Sequence, residues 1–296
     1  QTIALAGTVD ISGTHERARF LGYIQFASSL GTISGPIIGG FLSDSHVVSW
    51  FTFATPFYFS AILAVINLLL VYFCYNEMYA PNPRAKAVQG YGQLFMSAVK
   101  TPKIRQLSII ALLIMLGWSA YYTTISFYLQ DRLQYSTADI AEYLAISAIG
   151  FMFGTLYLIN VLKKVMQLSH IIIFGLLLAA SSLTITLLTA NAIILFSLSI
   201  TLCCGFSLAV TALLAQFSNN VADSKQGWVM GISQAITAFA FGVTGIVQAF
   251  VNYYSLTATM IGAVIILTSA AGVTFSNIEK KSIANRFDID GGKKYD

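Results

Sequence analysis

Charge is what this sequence has least of: 9% of its 296 residues carry it, against 56% hydrophobic, and mean hydropathy is +0.74. A soluble domain carries about 25% charged residues. A chain this poor in charge cannot cover a water-facing surface, so its solvent is mostly lipid. The formal net charge of +4 is therefore no argument for nucleic acid, because the positions of the charges matter more than their sum. Cysteine is rare too. Cys74, Cys203 and Cys204 fall inside apolar runs, and the adjacent pair lacks the spacing and the His or Cys company of a metal site. Small buried hydrophobes are expected there. His15, His46 and His170 are scattered in loops. No nucleophile elbow, phosphate-binding Gly-Lys loop or zinc-protease helix occurs. These absences argue against an enzyme, a bound metal and a cofactor. No secretory leader is visible and the chain begins at Gln1 rather than Met, so further sequence is expected upstream.

Long apolar runs are abundant instead. Six stretches without charge stand out: 20–43, 45–76, 106–130, 143–162, 165–222 and 226–278. A bilayer core takes about 20 apolar residues per helix. The last two runs are therefore long enough for two helices each, broken at Thr189-Ala190-Asn191 and at Asn252-Tyr253-Tyr254-Ser255. Transmembrane strands are excluded, because the runs are continuous rather than alternating and far exceed about 11 residues. The expected fold class is an all-α membrane protein. Its eight complete helices are placed at about 18–42, 51–75, 104–129, 138–161, 168–189, 192–217, 226–250 and 254–276, with residues 1–8 as the end of a ninth.

Of the 16 Lys and Arg, all but Arg132 fall in alternate connections. That bias is a positive-inside signal placing those connections, and the tail 277–296, in the cytoplasm. It also checks the helix count, since one missed helix would scramble the alternation. The longest such connection, 76–103, holds Ala80-Pro81-Asn82-Pro83-Arg84 and then Gly92-Gln93-Leu94-Phe95-Met96. It divides the chain into residues 1–75, with two helices and a remnant, and 104–276, with six.

Two segments look alike. His15-Glu16-Arg17-Ala18-Arg19-Phe20-Leu21-Gly22-Tyr23-Ile24-Gln25 and Ser224-Lys225-Gln226-Gly227-Trp228-Val229-Met230-Gly231-Ile232-Ser233-Gln234 each place a charged turn before a helix opening Gly-x-x-Gln. Both helices enter the membrane in the same direction, as in parallel halves related about the membrane normal. On that register 18–42 is the fifth helix of a first half and 226–250 the fifth of a second, with three helices and most of a fourth expected upstream.

Helix 18–42 carries Gly22, Gly31, Gly35, Pro36, Gly39 and Gly40. Gly31, Gly35 and Gly39 lie close to one line along a helix and would admit another helix closely. Pro36 removes the bond to the Thr32 carbonyl and introduces a kink. This pattern resembles, at every motif position, the antiporter motif of the twelve-helix drug–proton antiporters of the major facilitator superfamily, and it falls on the fifth helix, where that motif belongs. The resemblance implies a helical bundle of that type, running from the end of family helix 4 to helix 12. It also implies that the glycine-rich helix seals the two halves in one access state and limits proton leak. Asp10 and the Glu16–Arg19 turn look like the family's loop after helix four, and a positive-inside anchor is the expected role there. Leu162-Lys163-Lys164-Val165 sits where the second half's signature loop belongs, in degenerate form.

A proton-coupled carrier uses a titratable group inside the membrane. All twelve acids here lie at helix ends or in loops. Glu142 comes nearest, about one turn into its helix, where with Asp139 it would complement the helix dipole. The resemblance places the coupling carboxylates in the upstream helices. For substrate, helix 104–129 offers Trp118, Tyr121 and Tyr122 beside Ser119, Thr123 and Thr124, a set suited to stacking lipophilic or cationic molecules. Phe127 and Tyr128 are assigned to the interfacial aromatic belt. Gln25 and Gln234 are read as buried amides that either link helices or line the pathway.

Taken with the resemblance, these features lead to an expectation of secondary active transport: proton-coupled efflux of drug-like or amphipathic small molecules. The expected partners are that small-molecule substrate, protons and membrane lipid, with no nucleic acid, and the expected location is a bacterial inner membrane. Two other readings share some features. One is a metabolite-uptake symporter, against which the Gly/Pro helix argues. The other is a truncated, non-transporting membrane protein, since eight helices and a stub fall short of two six-helix halves.

Overall fold

The structure, a computed structural model, describes residues 27, 31, 34–35, 37–45, 47–74, 100–221 and 226–291. Seven helices among them are long and apolar enough to cross a membrane. They are α1 (Thr55–Cys74), α2 (Pro102–Leu133), α3 (Thr137–Leu162), α4 (Leu168–Leu188), α5 (Ala192–Asn219), α6 (Gln226–Tyr254) and α7 (Leu256–Gly291). Every described residue between 27 and 43 is also helical, but most of the expected helix 18–42, the stub 1–8 and nearly all of the connection 76–103 lie outside the described residues. The chain is an all-α integral membrane protein.

Local chemistry sets the helix ends. Pro102 occupies the first turn of α2, where its missing N–H would have no intrahelical partner anyway. Gln134, in the left-handed conformation with φ 56°, closes that helix and returns its N–H to the Leu129 carbonyl. α3 starts with a reciprocal cap: the Asp139 N–H donates to Ser136 Oγ, and the Ser136 N–H donates to the Asp139 carboxylate at 2.9 Å. Asn191 Oδ1 accepts from the Ile194 N–H at the start of α5, so the expected break at 189–191 is present.

Several boundaries differ from the sequence reading: α1 starts at Thr55 rather than 51, and α2 runs to Leu133 rather than 129. Asn252, Tyr253 and Tyr254 remain helical, and the α6–α7 turn shrinks to Ser255, whose Oγ accepts from the Ala258 N–H at 3.2 Å. One hydroxyl acting as a cap replaces a four-residue turn. α7 also runs on to Gly291, well past residue 276, because a helix can continue beyond the bilayer without a break.

The helices pack in the spatial order α6–α2–α7–α4–α5–α3, with the chain of neighbours curled so that α2 also meets α5. Lipid is as apolar as leucine, so hydrophobic burial does little to hold helices together here. Close packing and hydrogen bonds must do it. Glycine supplies the closest approaches. A side-chain carbon on Gly205 of α5 would lie 2.5 Å from the Gly175 carbonyl oxygen of α4, and one on Gly175 would meet the Gly205 carbonyl in return. On α3, Gly150 and Gly154 press in the same way onto the backbone of α5 at Ile200 and Cys204. A π-helical turn at Gly154–Leu158 accompanies the second contact. Such a turn marks a local irregularity in the hydrogen-bond ladder. Several buried hydroxyls bond their own helix, as with Ser199 to the Phe196 carbonyl and Thr274 to the Ala270 carbonyl, so these need no partner in lipid. Cys203 and Cys204 are free and buried in the core, as expected for small hydrophobes. α1 has no buried residue in its apolar window and, among the described residues, no substantial contact with the other six helices.

Alternating helix directions give the bundle two chemically distinct ends. Lys103, Lys163 and Lys164 gather at one, whereas Asp131, Asp139 and Glu142 line cavities at the other.

Candidate functional site

Trp118 lies roughly 24 Å along α2 at about 1.5 Å per residue, near the middle of the helix. Its ring stacks on Phe206 of α5, with centroids 3.8 Å apart and planes 8° from parallel. Tyr122, one turn further along α2, stacks at 5.7 Å, and Tyr121 tilts against Trp118 at 5.5 Å. Phe151 of α3 completes the group, 6.2 Å from Phe206. Five rings from three helices thus meet at mid-height. Phe206 is buried, Trp118 is half-buried and Tyr122 is 47% exposed, so the group presents Trp118 and Tyr122 outward over a rigid base.

Tyr121 behaves differently from its neighbours. It is buried, and its hydroxyl lies 3.3 Å from that of Tyr143 on α3. Tyr143 in turn meets Phe196 edge-on at 5.6 Å, and Phe196 meets Tyr135. Aromatic contact therefore continues from the mid-height cluster to the acidic end, where Tyr135, Phe196, Asp139 and Glu142 line a cavity of about 600 Å³. Both Asp139 and Glu142 are exposed at that helix start, as the dipole reading anticipated. Tyr128 departs from the aromatic-belt expectation: it is buried in the core, while Phe127 is exposed.

The hydroxyls beside the rings are used for helix pairing. Ser119 and Thr244 of α6 lie 2.6 Å apart, and Thr123 Oγ1 donates to Gln248 Oε1 at 2.6 Å. Gln248 Nε2 donates to the Ala120 carbonyl and to Thr124 Oγ1. Gln248 is thus the buried amide of α6. Gln234, for which burial was expected, is exposed among the described residues. Gln25, Gly22 and Pro36 lie outside the described residues. Replacing Gln248 by leucine removes three interhelical bonds while keeping similar bulk. At about 0.6 kcal/mol per bond, the average for such bonds in membrane proteins, the folded chain should lose roughly 2 kcal/mol. Thermal melting of the purified variant in a mild detergent checks this, and an unchanged midpoint would mean that the clasp contributes nothing.

The motif glycines divide. Side-chain carbons on Gly31, Gly35 and Gly39 would meet nothing within 4 Å among the described residues. One on Gly40 would fall 2.6 Å from the Ala141 side chain of α3. Close approach of this helix to the six-helix bundle is therefore seen at Gly40, near the acidic end, rather than along the whole glycine line.

Phe206, Phe151, Tyr143 and Gln248 were not picked out by sequence reasoning. Phe206 had one signal: it is the large ring in the small-residue stretch Cys203-Cys204-Gly205-Phe206-Ser207. The pairing of Phe206 with Trp118 spans two helices far apart in sequence and had none.

A model of the Major Facilitator Superfamily matches residues 1–245. The quinolone resistance protein NorA of Staphylococcus aureus strain MSSA476 is 28% identical over 281 residues, covering 92% of this chain and 67% of that protein. Multidrug resistance protein 1 of Bacillus subtilis strain 168 is 25% identical over 229 residues, covering 77% of this chain and 57% of that protein. Among solved structures, a bacterial homologue of the human lysosomal transporter Spinster, crystallised in an inward-facing and unoccupied conformation, matches with a TM-score of 0.62 at 15% identity. That alignment covers 92% of this chain and 73% of the other, and it supports the fold.

Proposed function

This chain belongs to the Major Facilitator Superfamily, and from that premise we propose that it serves proton-coupled efflux of drug-like, amphipathic small molecules. The Trp118–Phe206 stack, with Tyr122 beside it, carries the reading. A rigid, partly exposed aromatic face at mid-height suits planar lipophilic cations, which gain from ring stacking and from the negative face of the π-system. Relatives named for quinolone and multidrug resistance fit the same chemistry. The substrate passes through chemically unchanged.

In this reading residues 1–75 belong to the first six-helix half, 76–103 link the halves, 104–276 form the second half and 277–296 lie in the cytoplasm. The lysine-rich end faces the cytoplasm by the positive-inside rule, and the acidic end faces outward. The host membrane is a bacterial plasma membrane. The contact between Gly40 and Ala141 lies near the outer end, where a seal between the halves would close the pathway to the outside. Gly22, Gly31, Gly35, Pro36 and Gly39 are assigned to the rest of that seal. Trp118 and Tyr122 contact substrate directly, and Tyr121 holds the ring cluster to α3.

Cells expressing the gene that encodes this chain should accumulate less ethidium than cells without it, and a protonophore should erase the difference. Greater accumulation, or a difference that survives loss of the proton gradient, would sink the proposal.

A further inference from the structure

A cavity of about 930 Å³ opens at the lysine-rich end, on the side where α2, α4, α5 and α7 meet. Lys103 enters from the first turn of α2, Lys163 and Lys164 from the α3–α4 turn, Asn219 from the end of α5 and Asn277 from α7. No carboxylate is among the described lining residues. The floor is apolar: Leu107 and Ile110 are both buried there. α4 also begins at the rim, and its cap residue Gln167 makes no side-chain bond to the first-turn N–H groups. That helix end is held in place by Gln216 of α5, whose Nε2 donates to Ser169 Oγ at 2.7 Å. The cavity lies apart from the aromatic cluster, which sits at mid-height, and it plays no part in the efflux reading.

We propose that this cavity is a binding site for a phosphate anion, carried either by an anionic phospholipid headgroup or by a soluble phosphate. Three lysines around one cavity, with no carboxylate among its described lining residues, favour an anion. The amides of Asn219 and Asn277 can donate to its oxygens, and the positive end of α4 adds to the attraction. The size exceeds that of a bare phosphate, and the apolar floor suits the glycerol and first methylenes of a lipid. A basic pocket between helix ends at a membrane surface is a setting in which acidic headgroups bind.

The test uses the purified chain in a neutral detergent, with thermal melting and native mass spectrometry as readouts. Phosphatidylglycerol should raise the melting midpoint and remain bound, and phosphatidylcholine should not. The variant K103Q/K163Q/K164Q should bind phosphatidylglycerol roughly 100-fold more weakly, at roughly fivefold per lysine near a membrane surface. K103R/K163R/K164R should retain binding, which separates lost charge from a damaged fold. Inorganic phosphate distinguishes the sources. If it protects as well as the lipid does, the site takes soluble phosphate; if it has no effect while phosphatidylglycerol protects, the site is a lipid site. Equal effects of the two lipids with none from phosphate would overturn the proposal, as would wild-type binding by the glutamine variant. Neither readout involves transport, so a failure here leaves the efflux reading standing.

Discussion

Gly205→Val should leave almost no monodisperse protein after detergent extraction, whereas Gly242→Ala should behave like the parent. At Gly205 the added carbon would stand 2.5 Å from the Gly175 carbonyl oxygen and 2.9 Å from the Ala179 nitrogen. Both obstacles are backbone, so no rotamer change relieves them, and α4 and α5 must move apart. Ordinary overpacking destabilises by roughly 1–3 kcal/mol. Here the loss should exceed that range, because the contact joins the two most extensively packed helices and lipid offers no hydrophobic compensation. Gly242, on α6, has nothing among the described residues within 4 Å of its would-be side chain, so alanine there removes only glycine's conformational freedom. Fluorescence-detected size exclusion across a temperature series measures both. A Gly205→Val chain that elutes and melts like the parent would refute the close-packed α4–α5 contact.

Trp118→Ala should weaken binding of a planar aromatic cation by roughly 10- to 30-fold. A stacked ring contributes about 0.5–1.5 kcal/mol beyond its area, and a desolvated cation over an aromatic face up to about 2 kcal/mol; tenfold in affinity corresponds to about 1.4 kcal/mol. Trp118→Phe keeps a ring over Phe206 and should recover most of the loss. Phe127→Ala, at an exposed position away from the cluster, should change little. Titration of a fluorescent cationic dye, run beside melting curves for each variant, separates lost binding from lost folding. Equal affinities for Trp118→Ala and Phe127→Ala would remove the aromatic cluster from the substrate path.

Much of the architecture was legible before any coordinates. Helix existence and topology follow from the scarcity of charge and the length of the apolar runs, since a chain in lipid must close its backbone bonds within each helix. Boundaries were less legible. Ser255 alone turns α6 into α7, and a one-residue turn has little composition to betray it. The binding face was half legible. Trp118, Tyr121 and Tyr122 stand together in the sequence, but which of them looks outward depends on the neighbours of α2. Tyr121 meets Tyr143 and is buried; Tyr122 meets no such partner among the described residues and is exposed.

The glycines show the division most clearly. By itself the sequence determined that this is a polytopic α-helical membrane protein with one basic side, because those properties depend on residue type and position along one chain. Its aligned glycines Gly31, Gly35 and Gly39 also announced a surface where another helix can come close. Only the tertiary structure decided where the described helices do so: at Gly175 against Gly205, at Gly150 and Gly154 against α5, and at Gly40 against Ala141. A missing side chain permits approach, and whether approach occurs depends on what the neighbouring helix places opposite, a pairing that periodicity along one strand of sequence does not encode.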